Sequence, residues 1–242
     1  MNNSWLPGPQ QQDLSSDTVH VWQAGLDASL ERLAVYEALL AEDERERAAR
    51  FRFDRHRHEY IAGRGMLRVL IGRYLGRLPE TLIFSYSEYD KPYLKGNSLQ
   101  FNLAHSGGLA LYAFCLNDPV GVDVERERAL TDGMQIAERF FSPAERAVLR
   151  SLPEEQKVPA FFRCWSRKEA FIKAVGEGLS YPLDVFDVTL APGEPARLLQ
   201  IRGSEEEARA WSLNSLDLLP GYHGALAVKS RHKTLQKFKF VD

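Results

Sequence analysis

Two carboxylates separated by one residue, Asp123 and Glu125 in the run "GVDVE", open the question of chemistry in this sequence. Val120, Val122 and Val124 alternate with them, the pattern of a strand in which every second side chain shares a face. Gly121, Asp123 and Glu125 then share the other face, with the two acids about 6.6 Å apart. Like charges at that spacing repel by roughly 2.5 kcal/mol at an effective dielectric of about 20. Either that face is wet or a cation stands on it.

A second constellation lies in "WSRKEAFIK", residues 165–173. Glu169 and Lys173 are four apart with the acid first, the favourable order for a helical ion pair. Alone, such a pair is a solvent-exposed brace. Phe161, Phe162, Trp165, Ile172 and Val175 make this helix largely buried, however, which predicts that its charged face lines a cleft. A third stretch, "FNLAHSGG", ends a strand in His105, Ser106 and two glycines. Such a turn can bring backbone and side-chain donors close to a phosphate, or can simply be an exposed hairpin turn.

Several chemistries are excluded. No His-x-x-x-His or Cys-x-x-Cys spacing speaks for zinc. His105 and Ser106 are adjacent, a poor geometry for a triad, and no G-x-S-x-G elbow exists. Asp123, Glu125 and Glu169 are hard oxygen donors, which favours Mg²⁺ shared with a substrate phosphate. Lys91, Lys168, Lys173, His105 and the arginines around them suit phosphoryl transfer, where the protein chiefly positions and neutralises charge. Walker and kinase glycine loops are both absent.

The elements that must position these residues follow from periodicity. Apolar spacing predicts a helix over 28–40, a short charged helix after it, and a long amphipathic helix from Asp54, its expected N-cap, to about Leu75, with Gly76 as its stop. After Pro79 come short strands in "LIFSYSE", "KPYL", "LQFNLA", "LALYAFCL" and "VGVDVE", divided by turn signals. Helices return in "MQIAERFF", in "SPAERAVLRSL" with Ser142, Pro143 and Glu145 as a capping box, and in "AFFRCWSRKEAFIKAV". Strands in "FDVTL", "ARLLQI", "AWSLNSLDL" and "GALAVKS" complete the chain. Helices then strands, twice over, predict an α+β fold of two similar halves, 1–118 and 119–242, jointed near Pro119.

With 242 residues, 44% of them hydrophobic, the chain can build such cores. A net charge of −2 gives no global pull toward nucleic acid, although residues 44–77 and the tail "KSRHKTLQKFKF" are locally basic. No run reaches the ~18 apolar residues of a membrane span, and "MNNSWLPGPQQQDLSS" lacks signal-peptide features. Cys115 and Cys164 sit in apolar segments as expected buried thiols. These features predict a cytoplasmic protein without membrane or nucleic-acid partners.

Together the motifs resemble the 4′-phosphopantetheinyl transferases, specifically the Sfp-type branch with two halves in one chain. "ERERAARFRF", "AGRGMLR", "YDKPYL", "FNLAHSGG", "GVDVE", "RFFSPAE", "FFRCWSRKEAFIKAVGEGL" and "PGYHGALAV" occur in family order from residue 44 to residue 228. The resemblance implies two α+β halves related by a pseudo-twofold axis, with the active site at their interface. It implies transfer of the 4′-phosphopantetheine arm of coenzyme A to a serine of an acyl or peptidyl carrier protein, releasing 3′,5′-ADP. Asp123, Glu125 and Glu169 would hold Mg²⁺ (or Mn²⁺). Glu169 would also take the serine proton, and Lys173 would assist the leaving phosphate. Arg47, Arg64, Lys91, Pro92, Asn102, Ala104, His105, Lys168 and Lys173 would contact coenzyme A, Arg47 near the 3′-phosphate. A cation between Asp123 and Glu125 then answers the repulsion. Two departures stand out: Ala104 where the family often has serine, and Glu44 where some relatives carry a lysine. The two-half chain is expected to work as a monomer. A degenerate coenzyme A- or carrier-binding scaffold and another Mg²⁺-dependent nucleotide transferase remain as alternatives.

Overall fold

The computed structural model describes residues 5–9, 13–130 and 132–241, with Leu179 as backbone only. Parts of the N-terminal stretch read above, residues 1–4 and 10–12, lie outside the described residues. The chain begins with strands β1 (Leu6–Pro7) and β2 (Thr18–Gly25), then helices α1 (Leu30–Leu39), α2 (Glu42–Ala49) and α3 (Asp54–Leu75). Two short strands, β3 (Ser85–Tyr86) and β4 (Pro92–Tyr93), form a hairpin. The strands β5 (Leu99–Ser106), β6 (Leu109–Leu116) and β7 (Val120–Arg126) follow, and then helices α4 (Gly133–Phe140), α5 (Pro143–Ser151) and α6 (Glu154–Val175). The remainder is β8 (Phe186–Val188), β9 (Leu198–Ile201), α7 (Glu205–Arg209), β10 (Ser212–Leu216), β11 (Tyr222–Val228) and β12 (Thr234–Lys239).

Strand alternation decides the layers. Five strands pair in the order β1-β12-β2-β6-β5 and three in the order β10-β11-β7. Val19 and Val21 of β2, Leu111 and Ala113 of β6, Val120, Val122 and Val124 of β7, and Leu226 and Val228 of β11 share one apolar core. The alternate residues point outward. Trp22, Tyr112 and Phe114 meet Tyr36, Leu67 and Leu70 of α1 and α3, while Ala225 and Ala227 meet Phe161, Phe162 and Phe171 of α6. The α+β class is as expected, with each sheet backed by its own long helix.

Local signals held with small exceptions. Ser142 and Glu145 make the reciprocal capping box, and Gly76 (φ 61) and Gly176 (φ 90) end the two long helices in the left-handed conformation. Asp54 is the first residue of α3 rather than its cap, since Phe53 holds the cap position without a side-chain bond. Cys115 and Cys164 are free and buried. No helix among the described residues is long and apolar enough to cross a membrane.

One strand crosses the division at 118/119. The basic tail forms β12, which leaves the second half and pairs in parallel with β2 in the first sheet, Phe238 opposite Trp22. Alternation is again the cause: Leu235 turns to the inner core and Phe238 to the helices. The second half therefore does not run unbroken to residue 242.

Candidate active site

The site begins where α6 lies on β7. Gly121 makes that possible: a Cβ there would stand 2.2 Å from the Ala170 carbonyl oxygen and 2.3 Å from the Ala174 nitrogen. Only hydrogen fits, so the helix backbone rests directly on the Gly121/Asp123/Glu125 face. The contact places Lys173 Nζ 2.5 Å from Asp123 Oδ1. The other oxygen, Oδ2, is buried without a hydrogen-bond partner.

Charge in this pocket is crowded. Burial pushes the Asp123 carboxyl up, and Lys173 opposes it. Glu169, one turn before Lys173 on the same helix, is pushed up to about 7 by burial, with Lys173 pulling down and Asp123 and Glu125 pushing further up. Glu125 is likewise raised, first by burial and then by Asp123, against the Ser106 hydroxyl that donates to it at 3.2 Å and against Arg128. Burial alone would lower Lys173, but Asp123, Glu169 and Glu125 outweigh it and hold the ammonium charged. The i,i+4 spacing offers Lys173 a helical partner in Glu169, but its hydrogen bond crosses to Asp123 on β7.

Among the described residues, no three His, Cys, Asp or Glu side chains converge as a closed ligand set. The donor chemistry nevertheless fits a hard divalent cation. One sealed carboxylate oxygen lacks a hydrogen-bond partner and two further carboxyls feel its charge, so the donors gathered here are hard oxygens.

Beyond His105 opens a cleft of about 460 Å³. The β5–β6 turn through Gly107 (φ 58) and Gly108 (φ 83) carries His105 on its wall. The imidazole keeps an exposed edge, yet enclosure by the cleft wall lowers its pKa; Glu59 opposes that shift while Lys173 and His56 add to it. Lys173 thus stands within electrostatic reach of the cleft. Arg47 is exposed over the Tyr60 ring at the cleft's rim. Arg64 lies at its base, donating to Glu44 Oε1 at 2.8 Å and to the Tyr86 hydroxyl at 3.1 Å. Glu44 also accepts from Arg68 at 2.5 Å, so one buried carboxylate faces two guanidinium groups and the base is net positive. Pro92 and Asn102 line the same cleft, and Asn102 Oδ1 accepts from the Val122 amide at 2.8 Å, tying β5 to β7.

Three residues expected to contact coenzyme A have side chains engaged elsewhere. Lys168 is fully buried, its ammonium 2.7 Å from Glu145 Oε1 and 2.7 Å from the Phe186 carbonyl. Helix geometry explains this, because position 168 stands about 100° around the axis from 169 and about 140° from 173. The Lys91 ammonium donates to the carbonyls of Val120, Lys173 and Ala174 and lies among backbone rather than in the open cleft. Ala104 turns its side chain into the core between the sheets, which leaves only its backbone for the expected contact.

The cleft also holds residues the motifs did not single out: His56, Glu59, Tyr60 and Tyr86. The first three, with Gly63, follow i, i+3, i+4, i+7 spacing, a polar stripe on α3 opposite its apolar face that was open to reading.

Comparison with known proteins identifies the family. Residues 119–227 match the family described as the 4′-phosphopantetheinyl transferase superfamily. Residues 25–116 match the one described as 4′-phosphopantetheinyl transferase, N-terminal. The 4′-phosphopantetheinyl transferase HetI of Nostoc sp. is 42% identical over 232 residues, 94% of each chain. The 4′-phosphopantetheinyl transferase Sfp of Bacillus subtilis is 34% identical over 154 residues, 63% of this chain and 67% of that protein. A holo-(acyl-carrier-protein) synthase from Bacillus anthracis, solved with CoA (3′,5′-ADP), overlaps 46% of this chain and 93% of that one at 19% identity and a TM-score of 0.38. That overlay is too loose to carry an argument.

Proposed function

This chain belongs to the 4′-phosphopantetheinyl transferase superfamily, and we propose that it moves the 4′-phosphopantetheine arm of coenzyme A onto a serine hydroxyl of an apo carrier protein. The serine oxygen forms a bond to the phosphorus of the phosphopantetheine group. The bond from that phosphorus to the bridging oxygen breaks, and 3′,5′-ADP departs with the electron pair. The serine proton goes to a carboxylate oxygen of Glu169, which burial and the neighbouring acids hold above the ordinary carboxylate range in the metal-free protein.

Lys173 stays charged beside Asp123 and neutralises the phosphate oxygens as the leaving group develops charge. Arg47 at the rim and Arg64 at the base bring positive charge to the cleft, and His105 on its wall offers a ring nitrogen to a nucleotide bearing a further phosphate. Asp123, Glu125 and Glu169 would hold Mg²⁺, or Mn²⁺ in its place. When bound, a divalent cation there supplies neutralisation of the pyrophosphate.

The observation that carries the proposal is the buried Oδ2 of Asp123, without a hydrogen-bond partner, beside a charged Lys173 and with Glu169 one turn earlier on the same helix. One chain supplies every group named. Mass spectrometry of an apo carrier incubated with coenzyme A, Mg²⁺ and this protein tests it. A gain of one phosphopantetheine is expected, and an unchanged carrier mass across acyl and peptidyl carriers would overturn it.

A further inference from the structure

Lys91 lies in the turn between β3 and β4, in the first half of the chain, and its side chain leaves that half. Its Nζ is 3.2 Å from the Val120 carbonyl, 2.6 Å from the Lys173 carbonyl and 3.2 Å from the Ala174 carbonyl. Val120 opens β7, the strand of Asp123 and Glu125. Lys173 and Ala174 close α6, the helix of Glu169. One ammonium therefore joins the two elements whose contact makes the Asp123–Lys173 pair.

The last carbonyls of a helix have no partner within it, and a cation at that end also meets the negative pole of the helix dipole. Gly176 donates its amide to Ile172 in the left-handed cap, and the Lys173 and Ala174 carbonyls go to Lys91. The fit is close: a Cβ on Gly176 would stand 3.4 Å from Lys91 Cδ. The turn is itself set, since the Lys91 amide donates to Ser87 Oγ at 3.1 Å and the Ser87 amide to the Lys91 carbonyl at 2.9 Å. The same hairpin presents Tyr86, Asp90 and Pro92 to the large cleft, and the Tyr86 hydroxyl accepts from Arg64.

We propose that Lys91 is a positioning residue: its ammonium acts as the C-terminal clamp of α6, sets the register of Lys173 against Asp123, and links the cleft-lining hairpin to that pair. The proposal rests on the phosphopantetheinyl transfer reading for its kinetic consequence but not for its structural one.

The test compares Lys91→Met, which keeps the stem and removes the ammonium, with Lys91→Arg, which keeps a donor. Three quantities are read: kcat, coenzyme A affinity by calorimetry, and hydrogen exchange of peptides covering 173–177. Misplacing a group by about 1 Å can cost around a hundredfold in rate, so Lys91→Met is expected to lose at least about tenfold in kcat. Coenzyme A affinity should stay within about threefold, because the lost interaction is not one with ligand. Exchange at the Gly176 and Glu177 amides should quicken, and Lys91→Arg should recover part of both kcat and protection. A loss of affinity of about tenfold or more with unchanged exchange would show the ammonium on a ligand phosphate and overturn the clamp. Unchanged exchange with unchanged kcat would overturn it too. If the wild-type chain modifies no carrier yet exchange responds as expected, the clamp stands and the transfer reading falls. Should Lys91→Met fail to fold, Lys91→Arg and Lys91→Gln carry the same comparison.

Discussion

Lys173 and Asp123 meet across the α6–β7 contact at 2.5 Å, and the second oxygen of that carboxylate has nothing bonded to it. The two strand acids, which by spacing alone looked like a mutually repelling pair, are therefore offset first by a lysine, and one oxygen of Asp123 keeps no hydrogen-bond partner.

Asp123→Asn keeps an oxygen for Lys173 and removes the charge. The variant should fold, while Mg²⁺ with coenzyme A no longer raises its melting temperature as it does for the wild type; binding at a hundredfold over Kd is worth about 2.7 kcal/mol of stability. Turnover should fall at least about a hundredfold. Thermal shift with and without Mg²⁺ reads the first effect, and a wild-type response would remove Asp123 from the metal.

Glu169→Gln and Lys173→Ala should separate. The glutamine relieves a carboxylate held ionised against burial, so its stability at pH 8 should equal or exceed the wild type, while turnover drops about 10²–10⁴-fold for want of a base. The alanine strands the buried Asp123 carboxylate. Breaking a buried pair costs about 3–5 kcal/mol, and less here because the Lys173 side chain is 29% exposed. Urea unfolding of both variants reads the difference, and equal stabilities would contradict the pairing.

Gly121→Ala tests the close approach. Its methyl would meet backbone 2.2 Å away, which only movement of α6 can relieve. Overpacking of this kind costs about 1–3 kcal/mol or more, and Lys173 should lose its place against Asp123. Turnover should fall with stability. An active, fully stable variant would mean that α6 can lie further from β7.

His105→Ala should weaken coenzyme A about ten- to hundredfold, the worth of a charge-assisted hydrogen bond, and dephospho-coenzyme A far less. Equal losses in calorimetry would take His105 away from the 3′-phosphate.

His20 supplies a pH signature. It is buried with Nδ1 2.9 Å from the Tyr74 hydroxyl and Nε2 without a partner, and burial pushes its pKa down to about 4. The unfolded chain binds a proton near 6.5, so stability is full above that value and falls as pH drops from about 6.5 toward 4. The loss reaches about 3 kcal/mol at most. Denaturant melts of wild type and His20→Gln at pH 8, 6 and 5 should converge at low pH; parallel curves would deny the shift.

Much of this molecule was legible before its fold. The face shared by Gly121, Asp123 and Glu125, the capping box at Ser142, the stops at Gly76 and Gly176, and the burial of the helix bearing Glu169 and Lys173 all follow from period, caps and side-chain type. Those are local properties, written within a few residues. What touches what across the chain was not local. Lys91, Lys168 and Lys173 are one residue type in the sequence, and only packing decided that one clamps a helix end, one is sealed against Glu145, and one meets Asp123. The tail read as a basic run is an inner strand because β2 lay open to receive it, some 200 residues away in sequence. A side chain's type is set by its codon, but its partner is set by which backbone reaches it, and that is a property of the tertiary fold.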